Sequence, residues 1–510
     1  MMNLLDTVVV ILFIAFVVAF SMYKSRQEAT GEDYFLAGRG LVWWLIGFSL
    51  IAANVSTEQF VGMNGSAAGS VGFAIASYDW IAAMTLVIVA LFFLPHLLRT
   101  GIYTIPEFLE KRYNATARLI MSVFMVIIYS GVTISAVLYS GGLTTQTIFG
   151  IDLTVSVWVI GIIAALYTSW GGLKAVVWAD LFLGTTLIVG GFVVLGAGIQ
   201  AIGGWDNLIT ASQDRFHMAL PADHTELPWT ALLLGIWIPN LYYWGFNQFI
   251  AQRTLAARSL KDGQLGVLMA ASLQVILPLI IVVPGIIAAQ LYAEEMATPD
   301  EAFPKLVSEL IAPGLRGFIF AAILGAVISS LGSMLNSAST IFTMDIYAKY
   351  LKKQATQAEI IRTGRLMTVL FVLIGCLIAP QLGNPRFKGI FHFIQDFQGY
   401  VTPGILATFI FGFFSPRTPS VAAVTGLLIN IPIYGILHLP TYDHIGFLNK
   451  MGITFLSIVA VMGFITWLQP LKTPRVMVQN TAIDLKTSPL VKGIGATIFA
   501  VTLLLYIIFW

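Results

Sequence analysis

The chain has 510 residues, of which 58% are hydrophobic and 10% charged, with a formal net charge of +2 and a mean hydropathy of +0.86. A soluble domain carries about 25% charged residues, so these figures exclude a water-soluble globule and indicate an all-α integral membrane protein with many spans. The few charges are scattered, which argues against a nucleic-acid partner, and the lone Cys376 excludes an intrachain disulfide and a thiolate metal cluster.

A membrane span needs about 20 apolar residues. On that rule the sequence predicts about 14 transmembrane helices, at 4–22, 42–64, 71–97, 118–147, 153–170, 175–201, 228–250, 266–292, 314–346, 362–380, 388–414, 419–439, 450–468 and 491–509. The first reads as a retained span, since Asp6 stands where a signal peptide has a basic region. With the N-terminus outside, 21 of the 27 Lys and Arg fall in inside loops and 6 in outside loops. The positive-inside rule then puts both termini on the outer side. The connections 202–227 and 293–313, rich in Asp, Glu and Pro, read as outer loops.

The second span carries Asn54, Ser56, Glu58 and Gln59 in one cluster beside Ala52 and Ala53. Lipid offers these groups no partner, and four together predict a broken helix lining a binding cavity rather than interhelical glue. The span 228–250 has the same character, with Gly235, Pro239, Asn240, Tyr242, Tyr243, Gly245 and Asn247. Pro239 predicts its interruption; a plain proline kink is the alternative. The two broken spans start five spans apart, as a 5+5 inverted-repeat core with discontinuous helices requires. The chain then divides into a first span and inner loop (1–41), a first repeat (42–201, spans 2–6), an outer loop (202–227), a second repeat (228–414, spans 7–11) and peripheral spans 12–14 (415–510).

In 314–346, Ala326, Ser329 and Ser330 share one helix face, and Ser333 and Ser337 continue it. Close packing of small residues accounts for such a stripe. So does a Na⁺ site, in which two hydroxyls join carbonyls of Ala52 and Val55 freed by the broken span, since a hard cation takes oxygen ligands. Asp79 sits among Tyr78 and Trp80, a pairing that suits sugar hydroxyls and the apolar face of a sugar ring; a helix–helix hydrogen bond is the alternative. Asp180, near an inner span end, reads equally as a cation relay or an interfacial residue, and Asp345 as a solvated boundary residue. Gln395 and Asp396 again mix polar groups with aromatics. The six histidines show no metal-binding spacing. No nucleophile–base pair, phosphate-cradling Gly loop or nucleotide motif stands out, which argues against an enzyme or an ATP-driven pump.

Several strings resemble the sodium/solute symporter family, and within it the bacterial sodium/galactose cotransporters: Asp33-Tyr34-Phe35-Leu36-Ala37-Gly38, Ser49 to Phe60, Gly101 to Phe108, Asn240 to Gln248, Ser333 to Tyr347 and Pro403 to Ala407. The resemblance implies Na⁺ as coupling ion, held by the carbonyls of Ala52, Val55 and Ala326 and the hydroxyls of Ser329 and Ser330, with Asp180 on the sodium path to the cytoplasm. It implies a sugar pocket of Asn54, Gln59, Asn240 and Gln395, with Asp79 and Gln274 at two further pocket positions. It makes Tyr243 the inner gate and Met63, Tyr78 and Phe391 the outer lid. Three pocket positions depart from the galactose pattern: Asp79 replaces Glu, Ala82 replaces Ser and Gln274 replaces Lys.

The expected function is sodium-coupled import of a sugar, such as galactose or glucose, by alternating access. The expected setting is a bacterial cytoplasmic membrane, with the lipid bilayer as the only large partner and a monomer or weak homodimer as the assembly. No organic cofactor is expected. Alternatives are another solute on the same fold (a polyol such as myo-inositol, a uronate, sialic acid or another organic anion) or proton drive.

Overall fold

The structure, a computed structural model, describes residues 3–25, 30–55, 58–224, 226–383, 390–475 and 486–510. Ser56 lies outside the described residues, as does the side chain of Phe391. The main helices are α1 (Leu4–Lys24), α2 (Trp43–Asn54), α3 (Gly72–Thr100), α4 (Ala115–Gln146), α5 (Leu153–Ser169), α6 (Gly171–Ile202), α7 (Trp237–Phe246) and α8 (Gln248–Leu255). They continue with α9 (Leu260–Tyr292), α10 (Leu315–Ile341), α11 (Gln357–Ile378), α12 (Ile390–Gln398), α13 (Thr402–Phe414), α14 (Ser420–Ile436), α15 (Phe447–Leu468) and α16 (Pro489–Ile508). No strand occurs among the described residues.

Nine helices among the described residues are long and apolar enough to cross a bilayer, or ten if the bent pair α12–α13 is one span. Helices α2, α5 and α14 are shorter but apolar. Among the described residues the apolar runs read from the sequence are mostly helical, with breaks inside 42–64 and 228–250, while length and composition alone support nine or ten crossings.

Lipid tolerates polar side chains only where protein encloses them, and the layering obeys this. The most apolar window of α10 is 94% enclosed, against 22% for α1 and α16. The peripheral helices turn Leu12, Phe16, Leu456, Phe464 and Ile507 outward. Helix α10 packs on α5, α6, α1 and α11, and α9 packs on α2 and α3. Helices α5 and α6 meet at Gly172, whose φ of 50° and ψ of −157° favour glycine.

The 33–38 motif is a packing device. Tyr34 donates to the carbonyls of Thr168 and Ser169 (3.3 Å each). Gln252 donates its amide to the carbonyl of Phe35. Arg39 joins Glu32 (2.6 Å) to the carbonyls of Ile102 (3.0 Å) and Leu255 (3.3 Å).

Three charged residues differ from their sequence expectation. Arg112, counted in an inner loop, is buried and donates to the carbonyls of Gly412 (3.0 Å) and Ser415 (2.6 Å). Arg253, also counted in a loop, is fully buried, because the span expected to end at 250 continues as α8 to Leu255. Asp345 is not solvated: it is enclosed, paired with Arg118 and accepting from Thr104 (2.8 Å). In each case the charge is partnered, as enclosure requires.

The N-terminal helix is fastened by one such group. Asp6, at 0% side-chain exposure, accepts from the backbone N–H of Gly314 (2.7 Å) and Gly317 (2.9 Å) and pairs with Arg316 (2.9 Å). Asp6→Ala strands two N–H donors and a guanidinium. It is expected to destabilise the protein by about 3–5 kcal/mol, read as a clear drop in melting temperature in detergent.

Candidate functional site

Two helices stop in mid-course. Helix α2 ends at Asn54, where Val55 takes ψ 87°, and the chain resumes as a wide turn over Glu58–Met63 and a short helix over Asn64–Ala68. A helix end leaves its last carbonyls without intrahelical donors, so the break supplies carbonyl oxygens near Ala52 and Val55. The small residues there allow close approach: a Cβ placed on Gly184 of α6 would lie 2.9 Å from that of Ala52. The second interruption falls at Asn247, whose ψ of 125° separates α7 from α8. Pro239 does not cause it. That proline sits in the first turn of α7, where a missing N–H costs nothing.

These broken spans meet α3, α9 and α12 around one cavity of about 470 Å³ of empty space, part of it open. Its walls include all seven predicted solute residues, Asn54, Gln59, Asp79, Asn240, Tyr243, Gln274 and Gln395, and the lid residues Met63 and Tyr78. Glu58, Ala82, Pro239, Trp244 and Gln398 also line it. Gln274 is the hub on one wall: its Oε1 accepts from Asn54 Nδ2 (3.4 Å) and its Nε2 donates to Asp79 Oδ1 (3.1 Å).

Three buried acceptor oxygens on these walls have no donor among the described residues: Gln59 Oε1, Asp79 Oδ2 and Gln395 Oε1. An unmet buried acceptor costs about 1–3 kcal/mol, so each can take a donor from a bound molecule or water. Among the described residues the lining contains two carboxylates, Glu58 and Asp79, four amide side chains besides those of Asn54 and Asn240, and no Lys or Arg.

The α10 stripe faces the α2 break. Ser329 and Ser330 are fully buried, and Ser330 Oγ lies 3.4 Å from the carbonyl of Ala53, to which it donates. Ser329 donates to Asp180 Oδ1 and Ser49 to Asp180 Oδ2. Asp180 is therefore enclosed, not interfacial. Its counter-ion is Arg253 (3.0 Å), both side chains at 0% exposure. Arg253 also donates to Ser49 (2.6 Å) and Ser333 (2.5 Å).

Sequence reasoning missed Ser49 and Arg253 in this network, and Trp244 and Gln398 in the cavity, while Glu58 lines it as its place in the Asn54 to Gln59 cluster predicted. A signal for Arg253 existed. Asn247, Gln248, Gln252 and Arg253 form a second polar cluster straight after an apolar span, the pattern that marked Asn54 to Gln59. Arg253→Met leaves Asp180 as a lone buried carboxylate, with an expected loss of about 3–5 kcal/mol. Asp180→Asn combined with Arg253→Met should regain most of it, measured by thermal unfolding of both variants.

The family model for the sodium:solute symporter family matches residues 34–430. The sodium/glucose cotransporter of Vibrio parahaemolyticus is 40% identical over 494 residues, covering 91% of this chain and 90% of that one. The sodium/myo-inositol cotransporter 2 of Sus scrofa is 34% identical over 464 residues, covering 84% and 68%. Among solved structures, a substrate-bound, outward-open Na⁺-coupled sialic acid symporter superposes with a TM-score of 0.83 at 23% identity, covering 92% of this chain and 99% of that one; the likeness is one of fold. With its broken helices, polar cavity and a family match over most of its length, this chain is a multi-pass membrane protein belonging to the sodium:solute symporter family.

Proposed function

We propose that the chain imports a neutral, polyhydroxylated solute, a hexose such as galactose or glucose, together with Na⁺. The observation that carries this reading is the cavity wall: carboxylates, amides and aromatic rings, three acceptors without protein donors, and no Lys or Arg among the described residues. Hydroxyl groups supply such donors, and Tyr243 and Trp244 offer faces to the apolar side of a ring. A uronate or sialic acid would bring a negative charge to a wall that has acidic groups and no counter-ion. A polyol such as myo-inositol meets the same wall equally well and is the second reading.

Na⁺ is placed between the carbonyls of Ala52, Val55 and Ala326 and the hydroxyls of Ser329 and Ser330, a set of oxygen donors suited to a hard cation. The contact of Ser330 with the carbonyl of Ala53 supports this, since it brings the stripe to the break. Asp180, in contact with Ser329, receives the ion on its way inward. Bound Na⁺ holds α2 against α10 and so orders Asn54 and Gln59 for the solute. Tyr243 serves as inner gate and Met63, Tyr78 and Phe391 as outer lid. One charge crossing about 100 mV is worth about 2.3 kcal/mol, enough at about 1.4 kcal/mol per decade for a solute gradient of about fifty-fold.

In this reading 42–201 and 228–414 are inverted repeats, each opening on a span interrupted partway, at Val55 and Asn247. The protein makes fourteen crossings of a bacterial cytoplasmic membrane with both termini outside, as the Lys and Arg bias supports. It works as a monomer or weak homodimer, since the cavity is completed within one chain.

Uptake of labelled D-galactose, D-glucose, myo-inositol and sialic acid into proteoliposomes tests this. Na⁺-dependent entry of a neutral sugar or polyol, but not sialic acid, is expected. Uptake that ignores Na⁺ and collapses with a pH gradient would instead establish proton drive. Ser330→Ala should cut Na⁺-driven uptake at least tenfold in a folded protein. Gln274→Lys puts an ammonium beside Asp79 and Asn54 and should shift preference toward galactose. An unchanged profile would remove Gln274 from the pocket.

A further inference from the structure

The bent pair α12–α13 raises a mechanical problem. The helices meet at 50°, so the hydrogen-bond ladder of α13 does not set the rotation of α12 about its own axis. Yet α12 must aim Gln395 and Gln398 at the cavity, and both do line it. Neighbouring helix residues point about 100° apart. A turn of one residue would carry Asp396 toward the cavity in place of Gln395.

The anchor comes from α14, assigned from sequence to the periphery. Asn430 and Tyr434 follow at i and i+4, so they share one side of α14, and His438 lies in the turn just after its end. Asn430 clamps both sides of the bend: its Oδ1 accepts from Gly404 N–H (2.8 Å) and its Nδ2 donates to the carbonyl of Gly399 (3.1 Å). Tyr434 donates its hydroxyl to Asp396 Oδ1 (2.8 Å), and His438 Nε2 lies 2.9 Å from the same oxygen. Gly399 lets the tyrosine in, because a Cβ there would come within 2.3 Å of its ring.

We propose that Asp396, held by Tyr434 and His438, is a positioning residue that fixes the rotation of α12 and so presents Gln395 and Gln398 to the solute. The proposal rests on the reading of the cavity as the solute site. It gives α14 a role in substrate affinity although none of its residues lines the cavity.

The test is a mutant cycle in proteoliposomes, using whichever of D-galactose, D-glucose or myo-inositol is carried with Na⁺. Tyr434→Phe keeps the ring packing and deletes only the hydroxyl, so the protein should still fold. It is expected to raise the solute KM about three- to tenfold with a smaller change in kcat. Gln395→Ala should raise KM as well, and Tyr434→Phe should then add less than twofold. In parallel, a cysteine introduced by Gln398→Cys reports on helix rotation without any solute, since the native Cys376 is buried. Its labelling rate by an external maleimide should change at least threefold when Tyr434→Phe is added. If Gln395→Ala raises KM, yet Tyr434→Phe acts with full additivity and leaves labelling unchanged, the positioning role is overturned while the cavity reading stands. If Gln395→Ala leaves KM unchanged, the cavity reading falls and the proposal with it.

Discussion

A helix that stops inside a hydrocarbon layer exposes backbone groups that lipid cannot satisfy, so everything around the stop must be built from protein. That constraint organises this chain. Helix α2 stops at Val55, and the stop is walled by α6, α9 and α10. The enclosure converts a liability into a site. The carbonyl of Ala53, beside the stop, accepts from Ser330, while the resumed chain delivers Gln59 and Met63 to a cavity shared with the second broken span.

The same constraint accounts for the buried charges. Asp180 and Arg253 sit with no solvent exposure, each saturated by serine hydroxyls or a backbone carbonyl as well as by the other. A buried pair of this kind adds little net stability, but removing one partner is costly. Its position, one hydroxyl away from the proposed ion site, ties α8 of the second broken span to the same serine stripe that faces the first. Arg39, Tyr34 and Gln252 also bind the 30–41 segment to α8 and to the end of α5. The start of the first broken span and the end of the second are thereby held in one network.

Much of this was legible from residue order. Apolar runs located the helices. The clusters at Asn54 to Gln59 and Asn240 to Asn247 marked both interruptions, because so many polar groups within one span require partners that an unbroken helix in lipid cannot give them. The resemblance supplied Gln274, which nothing in its local sequence singles out, and gave a pocket role to Gln395, already marked by its aromatic neighbours. What residue order hid was long-range partnering. Arg253 looked like a loop cation because α8 adds a turn beyond the apolar run. Asp345 looked solvated because its partners, Arg118 and Thr104, lie more than two hundred residues away. Pro239 misled for a local reason, since a proline in a first helical turn breaks nothing. The role of α14 was invisible because Asn430, Tyr434 and His438 act on a bend whose geometry exists only in three dimensions.

In the proposed reading, Na⁺ and the solute share one pair of broken helices, so that each orders the site of the other. Equilibrium binding to the purified protein tests this most directly: the solute dissociation constant measured across Na⁺ concentrations, and the Na⁺ dissociation constant measured across solute concentrations. The account predicts that each ligand tightens the other by the same factor, as linkage demands of two coupled sites, and that the factor collapses in Ser330→Ala. Solute binding that is equally tight with and without Na⁺ would contradict it.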